Sequence, residues 1–393
     1  MITVLKKKRI DILIKVISVG VEFPLQSLKL FGQEEGYQKL VRSLTQEQAL
    51  CNGDTGEVIE TKLFTISGKY PNRTIRFYKK GLEVVKWFEL YDLYIKVSNN
   101  HIFSGNQRII TRNHRVAEML AFMARVQVKF SPMDLPILRS GTQTQILEKK
   151  PFFYMSKILK KVDASDDKKT IQTRMAGAFF YGNKCYAIYN TGYDCLEMDL
   201  STECKAKLML ESLADHNTKR SGEISAMLFS FSPNVILDSI RKMDMSEKKR
   251  KKVSGKLVLK KYTFVELVDA YASVFYIPLD ENGMHQFRFF MVDDFQEKLL
   301  AALYDPSQRA YGKGLFDYDA KVDGVYSVSF LDGNMSKLLR FRKETLARAR
   351  RYEIICFDFQ EQFLKELFGE SVDIVVVSMD EAEEILNLKG ESE

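Results

Sequence analysis

The chain has 393 residues, with 59 Lys and Arg against 52 Asp and Glu for a formal charge of +7; 45% of residues are hydrophobic and 28% charged. That ordinary globular mix excludes a mostly disordered chain, and the length suits two or three domains. The opening MITVLKKKRIDILIKVISVGVEF is broken by charges too often for a secretory signal, and no stretch approaches the roughly 18 apolar residues of a membrane span. A soluble, cytoplasmic protein is expected, with no membrane partner.

Five cysteines (Cys51, Cys185, Cys195, Cys204, Cys356) are scattered, without a C-x-x-C pair, which argues against a disulfide framework and a zinc ribbon. The four histidines (His101, His114, His216, His285) stand apart, and neither G-x-x-x-x-G-K-[ST] nor G-x-G-x-x-G occurs. No metal and no cofactor is expected.

Charge is unevenly spread. Residues 1–150 hold 24 Lys and Arg against 14 Asp and Glu, whereas residues 353–393 hold 2 against 12. A basic front suits a phosphate-rich partner, because each cation near a phosphate releases condensed counterions; solvated faces are the plain alternative.

In chain order, Ile10, Leu13, Ile14 and Ile17 recur at i, i+3, i+4, i+7 and predict an amphipathic helix stopped by Gly20 and Pro24. The cluster Lys6, Lys7, Lys8, Arg9 before it reads as an arm touching phosphates or as a solubilising end. Leu25, Leu28 and Phe31 suggest a second short helix, and Tyr37, Leu40, Val41 and Leu44 a third. The opposite face of the third carries Gln38, Lys39, Arg42, Thr45 and Gln46, side chains able to reach base edges or phosphates from a major groove. Two β-rich runs, Leu63–Ser67 and Thr74–Tyr78, follow, joined by Gly68-Lys69-Tyr70-Pro71-Asn72-Arg73. Lys69 and Arg73 sit at that tip, with Arg76, Lys79 and Lys80 behind. Three short helices and a basic-tipped hairpin predict a winged helix-turn-helix over residues 1–90, with double-stranded DNA as partner; a module for protein contacts is the alternative.

Residues 91–130 read as a helical extension, with Val116, Met119, Leu120 and Met123 at helical spacing and His114 and Arg115 at the helix start, the histidine as a packed or capping group. Residues 131–150, rich in Pro, Gly, Ser and Thr, read as a linker.

Residues 151–393 alternate β-rich and helical runs and predict an α/β domain whose mixed, partly parallel sheet is covered by helices. Gly177–Tyr181 and Tyr186–Tyr189 form an expected hairpin, Thr202–Leu213 a helix, and Ala226–Phe231, Val274–Ile277, Gln286–Val292, Val325–Phe330, Glu353–Phe357 and Val372–Val377 strands. Ser232-Pro233, Asp294-x-x-Glu297 and Ser378-x-x-Glu381 read as helix starts. Within residues 247–261, eight of fifteen are Lys or Arg, including Lys248, Lys249, Arg250, Lys251 and Lys252, a run read as a phosphate-contacting loop or a solvated one.

Metal-dependent cleavage would need carboxylates and a lysine converging on one point. The best set is Asp199, Glu203 and Lys205, but on a helix positions i and i+2 point about 200° apart, so helix-start carboxylates are the default reading.

The stretches LKLFG…YQKLVRSL, IRFYKKGLEVV, NHRVAEMLAFM and RMAGAFFYGNKCYAIYNTG together resemble the replication-relaxation family of bacterial plasmids and integrative elements, over most of residues 1–235. The resemblance implies a winged helix followed by a restriction-endonuclease-like domain, acting on DNA in replication, mobilisation or transfer of a mobile element. It carries Gln38, Lys39 and Arg42 over as recognition-helix positions. With no clean carboxylate–lysine set, the expected function is a non-catalytic DNA-binding accessory or regulatory protein. The alternatives are a metal-dependent nuclease and an adaptor recruiting a relaxase or replication protein through its acidic end. A homodimer is compatible with winged-helix readers of palindromes, although no heptad seam is visible.

Overall fold

The computed structural model describes residues 2–5, 7–99, 106–131, 150–162, 173–182, 184–194, 198–218, 224–248, 267–310 and 317–388. The chain divides into two compact units. The first runs from the amino terminus through α6, with the first residues of β9, and the second holds the remaining elements named below.

The first unit begins with β1 (Ile2–Leu5) and α1 (Lys7–Gly20). Lys7, Lys8 and Arg9 therefore open a helix instead of forming a separate arm, and Lys6 lies outside the described residues. The apolar stripe of α1, including the fully buried Leu13, Ile14 and Ile17, packs on α5 (Gln107–Arg125). Between them come β2 (Phe23–Pro24), the expected second short helix, which is a 3₁₀ helix (Leu25–Phe31), and α2 (Glu34–Leu44). Pro24 supplies no N–H and Gly32 takes a positive φ of 121°, so this apolar turn is held to a tight 3₁₀ winding between two breakers.

An element absent from the sequence reading follows. β3 (Gln48–Asn52) and β4 (Val58–Thr61) form an antiparallel hairpin, and β1 adds to β3 in parallel. The expected hairpin then appears as β5 (Phe64–Ser67) and β6 (Thr74–Phe77), in a three-stranded sheet ordered β2–β6–β5 and antiparallel throughout. α3 (Leu82–Lys86), α4 (Tyr91–Ser98) and α5 come next, then β7 (Lys129–Phe130), β8 (Phe152–Met155) and α6 (Ser156–Val162), with β7 and β8 parallel. Far from being an extension, α5 is the spine of this unit, with Ala117 through Met123 all buried. It starts at Asn106, whose side chain accepts from the Arg108 N–H, which puts His114 in mid-helix and not at its start. Of the expected linker at 131–150, Ser131 and Lys150 are described and the rest lies outside the described residues.

β9 (Gly177–Tyr181) straddles the division, and its end turns through Gly182 into β10 (Lys184–Gly192) as the hairpin pattern requires. In the second unit β10, α7 (Leu200–Thr218), β11 (Ser225–Ser230), α8 (Asn234–Lys248), a short α9 (Leu267–Ala270) and β12 (Val274–Pro278) give a parallel β10–β11–β12 arrangement. These strands are almost wholly buried, the condition of a parallel sheet covered on both faces. α10 (Glu281–Phe289) and α11 (Phe295–Leu303) lead to a second sheet, ordered β13 (Ala320–Val322), β14 (Val325–Ser329), β15 (Tyr352–Phe357) and β16 (Asp373–Val377). Its last three strands are parallel, connected by α12 (Met335–Ala347) and α13 (Asp358–Phe368), and α14 (Met379–Ile385) closes the described chain. The molecule is thus mixed α/β with partly parallel sheets.

Two sequence readings fail here for identifiable reasons. QFRFFMV mimics strand alternation and so predicts a strand over Gln286–Val292, but Gln286–Phe289 are helical in α10. Asp280 caps that helix by accepting from the Gly283 N–H at 3.0 Å, and Phe287, Phe289 and Phe290 are all fully buried, so the alternation signal is that of a helix enclosed on several sides. Asp294 takes a left-handed φ of 55° and its side chain makes no capping bond, so that capping signature is not realised. By contrast, the Ser378–Glu381 box forms.

Candidate nucleic-acid interface

The β5–β6 hairpin presents its tip through tight backbone geometry. Gly68 adopts a φ of +87°, and a Cβ there would stand 2.7 Å from the Asn72 carbonyl oxygen, so only glycine lets the strand turn so closely. The Asn72 N–H donates to the Lys69 carbonyl at 2.8 Å, and the Arg73 carbonyl accepts from Leu25 N–H at 2.9 Å, tying the tip's base to the 3₁₀ helix. Lys69 and Arg73 are exposed on this frame. Behind β6, Tyr78 N–H donates to the Leu63 carbonyl, and Gly81 fits against Lys62 and Leu63 backbone where a Cβ would come within 2.6 Å of an oxygen. Lys79 and Lys80, in the turn between, are exposed.

Arg76 is different. It lies on β6 between these cations, but its Nε and Nη2 both donate to Glu22 Oε2, at 3.1 and 2.6 Å, and Glu22 is 1% exposed. Asn113 of α5 donates to the other Glu22 oxygen at 2.9 Å. Beside them Thr74 Oγ1 and His114 Nε2 are 2.8 Å apart, and Ser27 donates to Glu118 at 2.6 Å. Burial lowers the His114 pKa to about 4, so the ring is neutral near pH 7. Arg76 therefore fastens the sheet to α5 and is removed from the expected phosphate contacts, while His114 is the packed group the sequence suggests.

On α2, Lys39, Arg42 and, just beyond its end, Gln46 are exposed, and Gln38 and Thr45 half-exposed. Their freedom is uneven. Gln38 donates to Glu34 at 2.8 Å, Lys39 stands 3.9 Å from Glu35, and Thr45 donates to the Arg42 carbonyl. Two acidic residues in the first turn offset the two basic ones, so α2 is electrically neutral as a helix, in contrast to the hairpin. Lys248 ends α8, and Lys249, Arg250, Lys251 and Lys252 lie outside the described residues.

The candidate cleavage residues do not form a metal site. Glu203, in the first turn of α7, is fully buried and accepts from Thr173 Oγ1, from the Arg174 N–H at 2.7 Å and from the Tyr189 hydroxyl at 2.9 Å. Tyr189 in turn meets the Tyr271 hydroxyl at 2.9 Å. Burial pushes the Glu203 carboxyl above the usual range despite these donors, and pushes both tyrosines upward. Asp199 is exposed and accepts from the Ser201 N–H at the helix start, and Lys205 is half-buried two positions along from Glu203. Another polar cluster, Asp319–Lys337 at 2.8 Å with Asp332 accepting from Gln296 and the Asn334 N–H, pins the turn between β14 and α12. Among the described residues no group of three or more His, Cys, Asp or Glu is arranged to hold a metal ion, and no helix is long and apolar enough to cross a membrane.

Sequence reasoning missed Glu22 and Asn113: Glu22 accepts from Arg76, 54 positions away, and from Asn113, 91 positions away, separations that leave no local pattern. It also passed over Tyr70 as a mere turn residue, although an aromatic between two cations at a hairpin tip is a visible signal. Comparison with known proteins finds no matching family model, no matching curated protein and no matching solved structure.

Proposed function

We propose that the first unit is a winged-helix module that binds double-stranded DNA, and that the chain is a non-catalytic accessory or regulatory DNA-binding protein. The observation that carries this reading is the exposed set Lys69 and Arg73 at the hairpin tip and Lys79 and Lys80 in the turn after β6, while the strand cation between them, Arg76, is turned inward to hold the frame. The chain order α1, β2, 3₁₀ helix, α2, β5, β6, with the strands paired as β2–β6–β5, supports the winged-helix assignment, with β3–β4 as an insertion before the wing. In this arrangement the hairpin supplies sequence-independent phosphate contacts, and Lys39, Arg42 and Gln46 supply the groove contacts of a recognition helix. A role in replication, mobilisation or transfer of a bacterial mobile element follows from the resemblance to the replication-relaxation family, as does a restriction-endonuclease-like origin for the second unit.

The test is a gel-shift titration of the intact chain on mixed-sequence duplex at low and high salt. A shift at low salt that fades steeply as salt rises supports the reading; no shift at low salt ends it.

A second reading, the adaptor, has one observation in its favour. Among the described residues β16 is the outer strand of its sheet, with Val375 and Val376 at 40% and 44% exposed and Glu370, Asp373, Asp380 and Glu384 exposed around it. An open edge with acidic surroundings suits a basic extended segment of a relaxase or replication protein, and such docking would slow hydrogen exchange of the β16 amides.

A further inference from the structure

Tyr70 is 83% exposed at the hairpin tip, more than any other large apolar or aromatic side chain found exposed among the described residues. The neighbouring rings are all engaged: Phe64 stacks on Phe77, Phe77 meets Tyr94 edge-on, and Tyr78 lies under Lys62. Tyr70 alone of this group is presented to solvent, on a tip fixed by Gly68, by the Asn72–Lys69 bond and by the Leu25–Arg73 bond. The ring is therefore held out on a short, preorganised loop, so little ordering entropy is lost when something settles on it.

The charge around it selects the occupant. From residue 61 to 82 the chain has six Lys and Arg and no Asp or Glu. Lys69 precedes Tyr70 in the chain and Arg73 follows it three residues on, and both are exposed on the same tip. An exposed aromatic ring on a tip that also carries two cations matches a nucleotide: the base stacks on the ring, and the neighbouring phosphates meet the cations. A closed duplex hides its base faces in the stack, and exposing one requires unpairing or unstacking.

We infer that Tyr70 is a base-stacking residue and that the hairpin tip favours DNA with unpaired nucleotides beside a duplex over a fully closed duplex. This rests on the DNA-binding reading of the first unit and names its preferred substrate class.

The experiment uses the full chain and three labelled DNAs of related sequence: a closed duplex, the same duplex with a single-stranded overhang, and the single strand alone. Fluorescence anisotropy is read for the wild type, Tyr70→Ala and Tyr70→Trp, with thermal melting to verify that each variant is folded. In parallel, 2-aminopurine in the overhang reports stacking through quenching. The overhang should bind about tenfold more tightly than the closed duplex, about 1.4 kcal/mol. Tyr70→Ala should erase that advantage and the quenching, and Tyr70→Trp should keep both. Equal affinity of the wild type for overhang and closed duplex, or an advantage that survives in Tyr70→Ala, overturns the stacking role while leaving duplex binding in place. Failure to bind any of the three DNAs removes both this inference and the reading beneath it.

Discussion

Arg76 and Arg73 are three positions apart on one hairpin and do opposite things. Arg73 faces water, whereas Arg76 neutralises a buried carboxylate that Asn113 also holds. Removing one partner of a buried pair strands the other, so Arg76→Ala should lower unfolding free energy by about 2 kcal/mol, discounted for the partial exposure of Arg76. Arg73→Ala should leave the denaturant midpoint in place; urea titrations of the two variants separate the roles. His114 makes a pH prediction. Its folded pKa of about 4 lies below the ordinary 6.5, so between those values the unfolded chain binds a proton that the native chain refuses. Stability from this ring is fully present above pH 6.5, declines as pH falls toward 4, and changes no further below. The decline is roughly 3 kcal/mol if the shift is fully expressed. Thr74 bonds the ring, and the charges of Glu22 and Arg76 act on it, so the measurement is the difference in melting temperature between wild type and His114→Asn from pH 7.5 to 4. The variant should show the shallower decline.

At the scale of elements, α7 carries the question of catalysis. Its Glu203 has three donors aimed at it from Thr173, Arg174 and Tyr189, which is the environment of a structural carboxylate. Glu203→Ala should therefore cost about 2–3 kcal/mol, because buried donors are deprived of their acceptor, and should leave duplex affinity unaltered. Purified wild-type protein incubated with Mg²⁺ or Mn²⁺ should leave supercoiled DNA intact; metal-dependent nicking abolished by Glu203→Ala would contradict this. How far such elements are legible in the sequence depends on whether their signal is local. The stripe of α1, the Ser378 box and the parallel strands from Val325 onward are readable, because periodicity and caps lie within a few residues. The β3–β4 hairpin is not, since QALCN and VIET carry little alternation; QALCN gains its place by pairing with β1, about 47 residues earlier, and VIET by pairing with QALCN. The mistaken strand at Gln286–Val292 shows the same limit from the other side: that run contains Arg288 alone of the polar strip Glu281, His285 and Arg288, so its buried rings read as alternation.

Across the whole molecule, the basic front divides into cations that face solvent and cations committed to internal pairs, a distinction that composition alone does not make. α2 carries the expected polar residues but also Glu34 and Glu35, whereas residues 61–82 hold six Lys and Arg and no Asp or Glu. On the proposed DNA-binding reading, this puts more of the phosphate contact on the hairpin and the turn after it than on α2. The most direct measurement is the slope of log K against log salt for a closed duplex, compared among wild type, Lys39→Ala/Arg42→Ala, and Lys69→Ala/Arg73→Ala/Lys79→Ala/Lys80→Ala. Each phosphate-neutralising cation removed should flatten the slope by about 0.9, so the four-cation variant should flatten it by about 3.6 units and the helix variant by at most about 1.8. Identical slopes in wild type and the four-cation variant would contradict the account.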